Sequence, residues 1–248
     1  MSATELAITR LSGSDLATGG DILRPPGTSG SAAVQVWVLD DEWLGLAERM
    51  FATTLSIEEQ RRGAAFARRN DELRFRARRG LLRHLLSRYL DCEARDIHVL
   101  VDAHGKPALS SSAGPLLPFN VAQTDGATVL AFAGAAVGVD VQCRRPELNF
   151  DDIAAEVFST GERTRLQSAA PQDRARCFFD TWARKEALLK ALGIGLLTDA
   201  KQYTTQASET VPRWRAWRGD SELRSWTLLD LPLDNALHAA VAVQPRAA

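Results

Sequence analysis

Five side chains carry the chemistry that this sequence offers most plainly. Asp140 and Gln142 stand two apart in Gly138-Val-Asp-Val-Gln142, and Glu186 and Lys190 stand four apart in Trp182-Ala-Arg-Lys-Glu-Ala-Leu-Leu-Lys190. Lys106 lies in a Gly-Lys-Pro turn. A carboxylate among valines is costly unless it is paired or bound to a cation; the alternative is that Asp140 caps the strand end through backbone amides. An acid and a base one helical turn apart either pair with each other, for roughly a few tenths of a kcal/mol, or hold a ligand. Lysine is scarce here, four against 26 arginines, yet Lys106, Lys185 and Lys190 all fall in these segments. A compact ammonium on a flexible stem suits a phosphate oxygen where a planar guanidinium does not fit.

These residues need elements to hold them. Val137 to Gln142 alternates as a strand, so Asp140 and Gln142 point to one face. Arg174 to Leu192 reads as an amphipathic helix, with Phe178, Trp182 and Leu189 on one side and Gly193 and Gly195 ending it. Phe119 to Gln123 and Thr128 to Phe132 form a hairpin around Thr124-Asp125-Gly126. Upstream, Ala33 to Leu39 is a half-buried strand. Ser56 and Glu59 form a capping box that opens a helix. Asp71 to Leu90 is a long helix with Leu73, Ala77, Leu81, Leu85 and Leu86 as its apolar stripe. Asp96 to Val101 is a short strand, His104 to Pro107 a turn, and Ser110 to Pro118 a loop. Short helices fill Asp151 to Ala170, with Phe158-Ser159 capping one that contains Glu162. Strands are expected at Gln202 to Gln206, Val211 to Trp217, Arg224 to Leu229 and Leu237 to Val243. The order strand, helices, strands occurs twice. It predicts an α+β fold with a mobile segment at 1–33, an N-terminal half at 34–136 and a C-terminal half at 137–248, and a ligand cleft between the halves.

Between Arg61 and Arg95 there are eleven arginines against four acids. That stretch is a solvated face, an anion site for phosphates, or a docking face for an acidic partner. Aromatic side chains for base stacking are sparse in it, and the net charge of −1 gives no global nucleic-acid signature. Cys92, Cys143 and Cys177 lack metal-knuckle spacing and read as free thiols in a reducing compartment. Met1 to Arg10 lacks a signal-peptide core. The longest apolar run, Val129 to Val139, is too short to span a bilayer. The expectation is a cytoplasmic protein.

Taken together, these motifs resemble the Sfp-type 4'-phosphopantetheinyl transferases. Ser56 to Arg83 is similar to the family's arginine-bearing first helical region. Gly105-Lys106-Pro107 matches its Gly-Lys-Pro turn, and Asn120-Val-Ala-Gln123 falls where the family has Asn-hydrophobic-Ser-His. Gly138 to Gln142 and Phe158…Glu162…Trp182 to Lys190…Gly193-Ile-Gly195 match its two signature blocks. The resemblance covers roughly residues 34 to 243.

The resemblance implies transfer of 4'-phosphopantetheine from coenzyme A to a serine of an acyl or peptidyl carrier protein, with release of adenosine 3',5'-bisphosphate. It implies a pseudo-dimer of two α+β halves in one monomeric chain, with coenzyme A and the active site in the cleft. The implied Mg²⁺ ligands are Asp140 and Glu186, with Gln142 beside them where many members have a third acid. Glu186 is also the implied base, and Lys190 the group that stabilises the pyrophosphate oxygens. Arg74, Lys106 with Pro107, Ala122 with Gln123, and secondarily Arg62, are implied coenzyme contacts. Gln123 stands in place of the usual histidine and brings no positive charge. Arg163, Arg165, Arg174 and Arg176 are expected to meet an acidic carrier protein. A membrane or nucleic-acid partner is not expected. A non-catalytic binder of coenzyme A or carrier protein on the same fold is the other reading.

Overall fold

Residues 6–18, 34–101, 106–109, 117–145, 147–194, 199–208, 214–234 and 236–244 are described by the computed structural model of the chain. A first sheet has the order β1 (Leu6–Leu11), β2 (Val34–Asp40), β6 (Ala127–Ala133), β5 (Phe119–Thr124). A second has the order β10 (Ser221–Glu222), β9 (Trp214–Arg218), β11 (Thr227–Leu231), β12 (Leu237–Val243), β7 (Val137–Cys143), with β8 (Tyr203–Ala207) also on β9. Strands β3 (Val99–Val101) and β4 (Pro107–Leu109) form a separate ribbon. The helices are α1 (Gly13–Thr18), α2 (Leu44–Phe51), α3 (Ile57–Ala64), α4 (Arg69–Leu90), α5 (Phe150–Val157), α6 (Thr160–Ser168) and α7 (Pro171–Leu192).

Alternation along the strands decides the layering. On β2, Trp37 and Leu39 pack with Leu81, Leu82 and Leu85 of α4. Val34, Val36 and Val38 point the other way, into a core shared with Val137, Val139 and Val141 of β7 and Val241 and Val243 of β12. On β12 the opposite set, Ala240 and Ala242, packs with Ala183, Ala187 and Leu188 of α7. The result is an α+β stack in the order helix, sheet, sheet, helix. The two sheets also meet edge to edge at β5 and β7. There Asn120 Oδ1 accepts from the Val139 amide at 2.9 Å and Thr124 Oγ1 from the Cys143 amide at 3.1 Å.

Helix boundaries follow local chemistry. Ser56 and Glu59 form the expected capping box on α3, and Ser159 and Glu162 form a second on α6. Pro171 starts α7 and Gly193, at φ 73°, ends it in the left-handed region. The expectation of a mobile 1–33 is corrected over Leu6–Thr18, where β1 pairs in parallel with β2 and α1 follows. Leu6 and Ile8 pack on the core between the sheets and Leu11 joins the α4 core. A six-residue parallel strand leaves no hairpin turn in the sequence to mark it. The strand expected at Arg224 starts at Thr227, because Arg224 and Ser225 form a turn. The bend at His104-Gly105, most of the loop from Ser110, and Gly195 lie outside the described residues. Among those described, no helix is long and apolar enough to cross a membrane.

Candidate active site

The face of β7 that carries Gly138, Asp140 and Gln142 lies against α7. Gly138 permits this contact: a Cβ there would sit 2.2 Å from the Ala187 carbonyl oxygen and 2.4 Å from the Ala191 nitrogen. Asp140 is buried at 4% exposure. Lys190 Nζ donates to its Oδ1 at 2.6 Å, and Gln142 Nε2 donates to its Oδ2 at 2.6 Å. Lys190 therefore reaches across to β7. Among the described residues no ion pair joins it to Glu186, so the simple pairing along the helix is not formed. Gln142 thus turns its amide nitrogen to Asp140.

The Glu186 carboxyl lies near enough to Asp140 to feel its charge. Burial pushes the Glu186 carboxyl up to about 7; the charge on Asp140 adds to this and Lys190 opposes it. Burial also raises Asp140, against the pull of Lys190 and Gln142. In both cases the loss of solvent around the carboxyl is the main cause. Among the described residues no three His, Cys, Asp or Glu side chains cluster as a metal cage.

Lys106 Nζ donates to the Lys190 carbonyl oxygen at 2.6 Å, which brings the start of β4 to the end of α7. Pro107 lies on the other side of this link. With Arg62, Phe75, Arg78, Arg79 and Val121 it lines a cavity of about 110 Å³ between α4 and β5. Gln123 meets this cavity's edge, where its carbonyl oxygen accepts from the Arg78 guanidinium. Ala122 turns its methyl into the core between the sheets, so only its main chain can meet a ligand.

Other expected side chains are held elsewhere. Arg74 donates to Asp125 at 2.7 Å and to Asp41 at 2.5 Å, tying α4 to the β5–β6 turn. Lys185 is fully buried on Glu162 at 2.7 Å and on the carbonyls of Val157, Ala200 and Tyr203, so it is a structural residue. Arg174 pairs with Asp151, and Arg165 bonds the Thr205 carbonyl beneath Trp214. Sequence reasoning passed over Arg78 and Arg79. The signal was present: Arg78 is one helical turn beyond Arg74 on the same face. It also passed over Asp180 and His238, which pair at 2.6 Å across 58 residues and leave no local pattern.

Comparison with known proteins bears on this geometry. Residues 136–242, the span from β7 through α7 to β12, match the family model described as the 4'-phosphopantetheinyl transferase superfamily. The chain is 30% identical over 197 residues to the 4'-phosphopantetheinyl transferase HetI of Nostoc sp., covering 77% of this chain and 79% of that protein. It is 37% identical over 90 residues to the 4'-phosphopantetheinyl transferase AcpT of Salmonella typhimurium, covering 36% of this chain and 46% of that protein. It is 28% identical over 165 residues to a 4'-phosphopantetheinyl transferase of Bacillus subtilis, covering 66% and 71%. The segments that build the Asp140–Lys190–Glu186 centre are those that the family model spans, and this chain belongs to the 4'-phosphopantetheinyl transferase family of enzymes.

Proposed function

We propose that the protein transfers 4'-phosphopantetheine from coenzyme A to a serine of an apo acyl or peptidyl carrier protein, and releases adenosine 3',5'-bisphosphate. The observation that carries this is Asp140, a buried carboxylate fixed on β7 opposite Lys190 and close enough to Glu186 to raise its pKa. The halves 34–136 and 137–248 act as two related α+β units. A sheet with a 22-residue helix on one face in each supports that division. Free cysteines support a reducing, cytoplasmic setting.

Asp140 and Glu186 would hold Mg²⁺, with Gln142 orienting Asp140. Hard oxygen donors suit that ion, as do two carboxyls raised by burial, Glu186 also by the Asp140 charge. Bound there, it would withdraw charge from the pyrophosphate oxygens as a Lewis acid. Glu186 takes the proton of the carrier serine, directly or through a water. The serine oxygen bonds to the pantetheine-bearing phosphorus as the bond to the bridging oxygen breaks. Lys190 stabilises the charge that develops on the phosphoryl oxygens, and Lys106 meets the same end of the coenzyme. Little covalent work is left to the protein beyond alignment and charge.

The test incubates purified protein, Mg²⁺ and coenzyme A with a panel of apo carrier proteins and reads intact mass. One added phosphopantetheine per carrier, abolished by a chelator, is the expected result. Coenzyme A binding without transfer to any carrier would sink this reading in favour of a non-catalytic binder.

A further inference from the structure

We infer that Lys190 is an exchangeable internal cation: it holds Asp140 until a divalent cation takes that carboxylate, and then passes to the diphosphate, so that cation and diphosphate bind as a pair. This rests on the reading of the site as one for Mg²⁺ and coenzyme A, and it adds how the two are coupled.

Two lysine–acid pairs anchor α7, and they differ in kind. Lys185 is 2% exposed in its side chain and meets Glu162 at 2.7 Å. It also donates to the carbonyls of Val157, Ala200 and Tyr203 at 2.9, 2.9 and 2.6 Å. An ammonium has three protons, and all of these have acceptors inside the fold. Lys190 is 31% exposed in its side chain against 5% for Asp140. Beside Asp140 Oδ1 at 2.6 Å, its further acceptor among the described residues is the Val139 carbonyl, at a long 3.4 Å. Asp140 is the fixed partner: its Oδ2 accepts from Gln142 at 2.6 Å, and its strand is pressed against α7 at Gly138. Lys190 is the partner that can move.

Neither partner leaves alone. Asp140 without Lys190 is a buried, unpaired charge, which is strongly unfavourable. Asp140 and Glu186 offer the hard carboxylate oxygens that Mg²⁺ and Mn²⁺ prefer. Yet Asp140 resists a second cation while the ammonium sits on Oδ1, because like charges so close repel. Lys190 in turn gives little to a diphosphate while it is engaged with Asp140. With both ligands present, each residue exchanges one ion pair for another and no charge is left uncompensated. Lysine suits this exchange better than arginine, since its charge is compact and its four-carbon stem flexible.

The test measures binding rather than transfer. Wild type, Asp140→Asn, Lys190→Met and the double variant are checked for folding by circular dichroism. Lys190→Gln, which keeps a donor for Asp140 without the charge, replaces Lys190→Met if that variant does not fold. Coenzyme A and inorganic pyrophosphate are titrated by calorimetry in EDTA and at saturating Mn²⁺. Binding of Mn²⁺ is read from the free-ion EPR signal, with and without each ligand. In EDTA, Asp140→Asn should bind coenzyme A about tenfold more tightly than wild type, because Lys190 is released to make one charge-assisted contact. In the Lys190→Met background the same substitution should change affinity less than about threefold. Without coenzyme A, Lys190→Met should bind Mn²⁺ about tenfold more tightly than wild type. With coenzyme A that advantage should vanish, so the coupling factor, which is the same for either ligand, falls about tenfold. An equal gain from Asp140→Asn in both backgrounds shows simple relief of repulsion and overturns the exchange. So does a coupling factor that Lys190→Met leaves unchanged; in either case coenzyme A binds and the reading of the site stands. If no variant binds coenzyme A, but wild type binds Mn²⁺ and pyrophosphate cooperatively and Lys190→Met does not, the exchange stands and the coenzyme A reading fails.

Discussion

Glu186 is poised by its surroundings to change charge near neutral pH, and the sign of that shift makes a stability prediction. Its carboxyl titrates at about 7 in the folded chain against 4.5 as an ordinary glutamate. A raised carboxyl pKa means that the folded state favours the protonated form. The favourable contribution is complete below about 4.5 and is lost as pH rises through about 7. Glu186→Gln removes the charge and should stabilise the protein without ligand or Mg²⁺ at pH 8 by roughly 1–3 kcal/mol. The gain should shrink to nothing near pH 4.5, read by urea unfolding at both pH values. The same variant should lose nearly all transfer activity. Equal stability at pH 8 would mean that the carboxylate is already compensated, and the base assignment would lose its basis. Gln142 offers a second test at this scale. It donates to Asp140 at 2.6 Å, so Gln142→Ala should keep much of the activity, whereas Asp140→Ala should not. Gln142→Glu adds a carboxylate beside Asp140 and should lower the Mg²⁺ concentration needed for half the maximal rate. If Gln142→Ala is as inactive as Asp140→Ala, Gln142 does more than orient.

The strand β7 and the helix α7 make the site as a pair, and their contact depends on a missing methyl. A Cβ at Gly138 would press on the α7 backbone at 2.2 Å, and backbone cannot swing away as a side chain can. Gly138→Ala should therefore cost about 3 kcal/mol or more and shift Asp140 away from Lys190. Gly134→Ala, with nothing within 4 Å of the new methyl, is the control and should change stability little. Denaturant midpoints for both, with transfer rates at saturating coenzyme, check this. Equal midpoints would show that β7 and α7 can part without penalty. This pair also shows where sequence reading succeeds and stops. Alternation placed Asp140 and Gln142 on one face, and the capping boxes at Ser56 and Ser159 marked two helix starts, because both signals lie within a few residues. Helical spacing set Glu186 beside Lys190 but could not reveal that Lys190 reaches across to the more deeply buried Asp140, 50 residues away. The Arg78–Gln123 contact spans 45 residues and stayed hidden for the same reason. β1 escaped notice because its signal is the partner strand, not its own pattern.

At the scale of the whole molecule, the halves are bound together too well to open and close as free bodies. Valines of both sheets share one core, and Asn120, Thr124 and Lys106 bond across the junction. Arg10 adds a strap, bonding Asp40 at 2.7 Å on one side and Asp234 at 2.7 Å on the other. With the two sheets joined in this way, recognition of the carrier protein is left to outer surface and charge. Four arginines were expected to supply that charge; Arg165 is committed to the Thr205 carbonyl beneath Trp214, while Arg174 pairs with Asp151 at the surface. Arg176 is 70% exposed in its side chain and only loosely paired, 3.6 Å from Asp180. With Arg144 it borders a groove of about 490 Å³ walled by Leu231, Leu233 and Leu237. The acids in that groove are already matched: Asp180 by His238, Asp230 by Arg184 and Asp234 by Arg10. The groove therefore presents leucines with Arg144 and the exposed Arg176 at its border, which suit an amphipathic, acidic helix on a carrier protein. Reversing Arg144 and Arg176 together to Glu should raise the carrier concentration for half-maximal rate roughly tenfold and leave coenzyme A affinity unchanged. The wild-type rate at low carrier should fall with added salt, and the double variant should lose most of that dependence. Arg165→Glu should act differently: it breaks the contact beneath Trp214 and should lower stability without a selective effect on carrier. If the double reversal leaves transfer at subsaturating carrier unchanged, docking uses another face, and the leucines of this groove have a different partner.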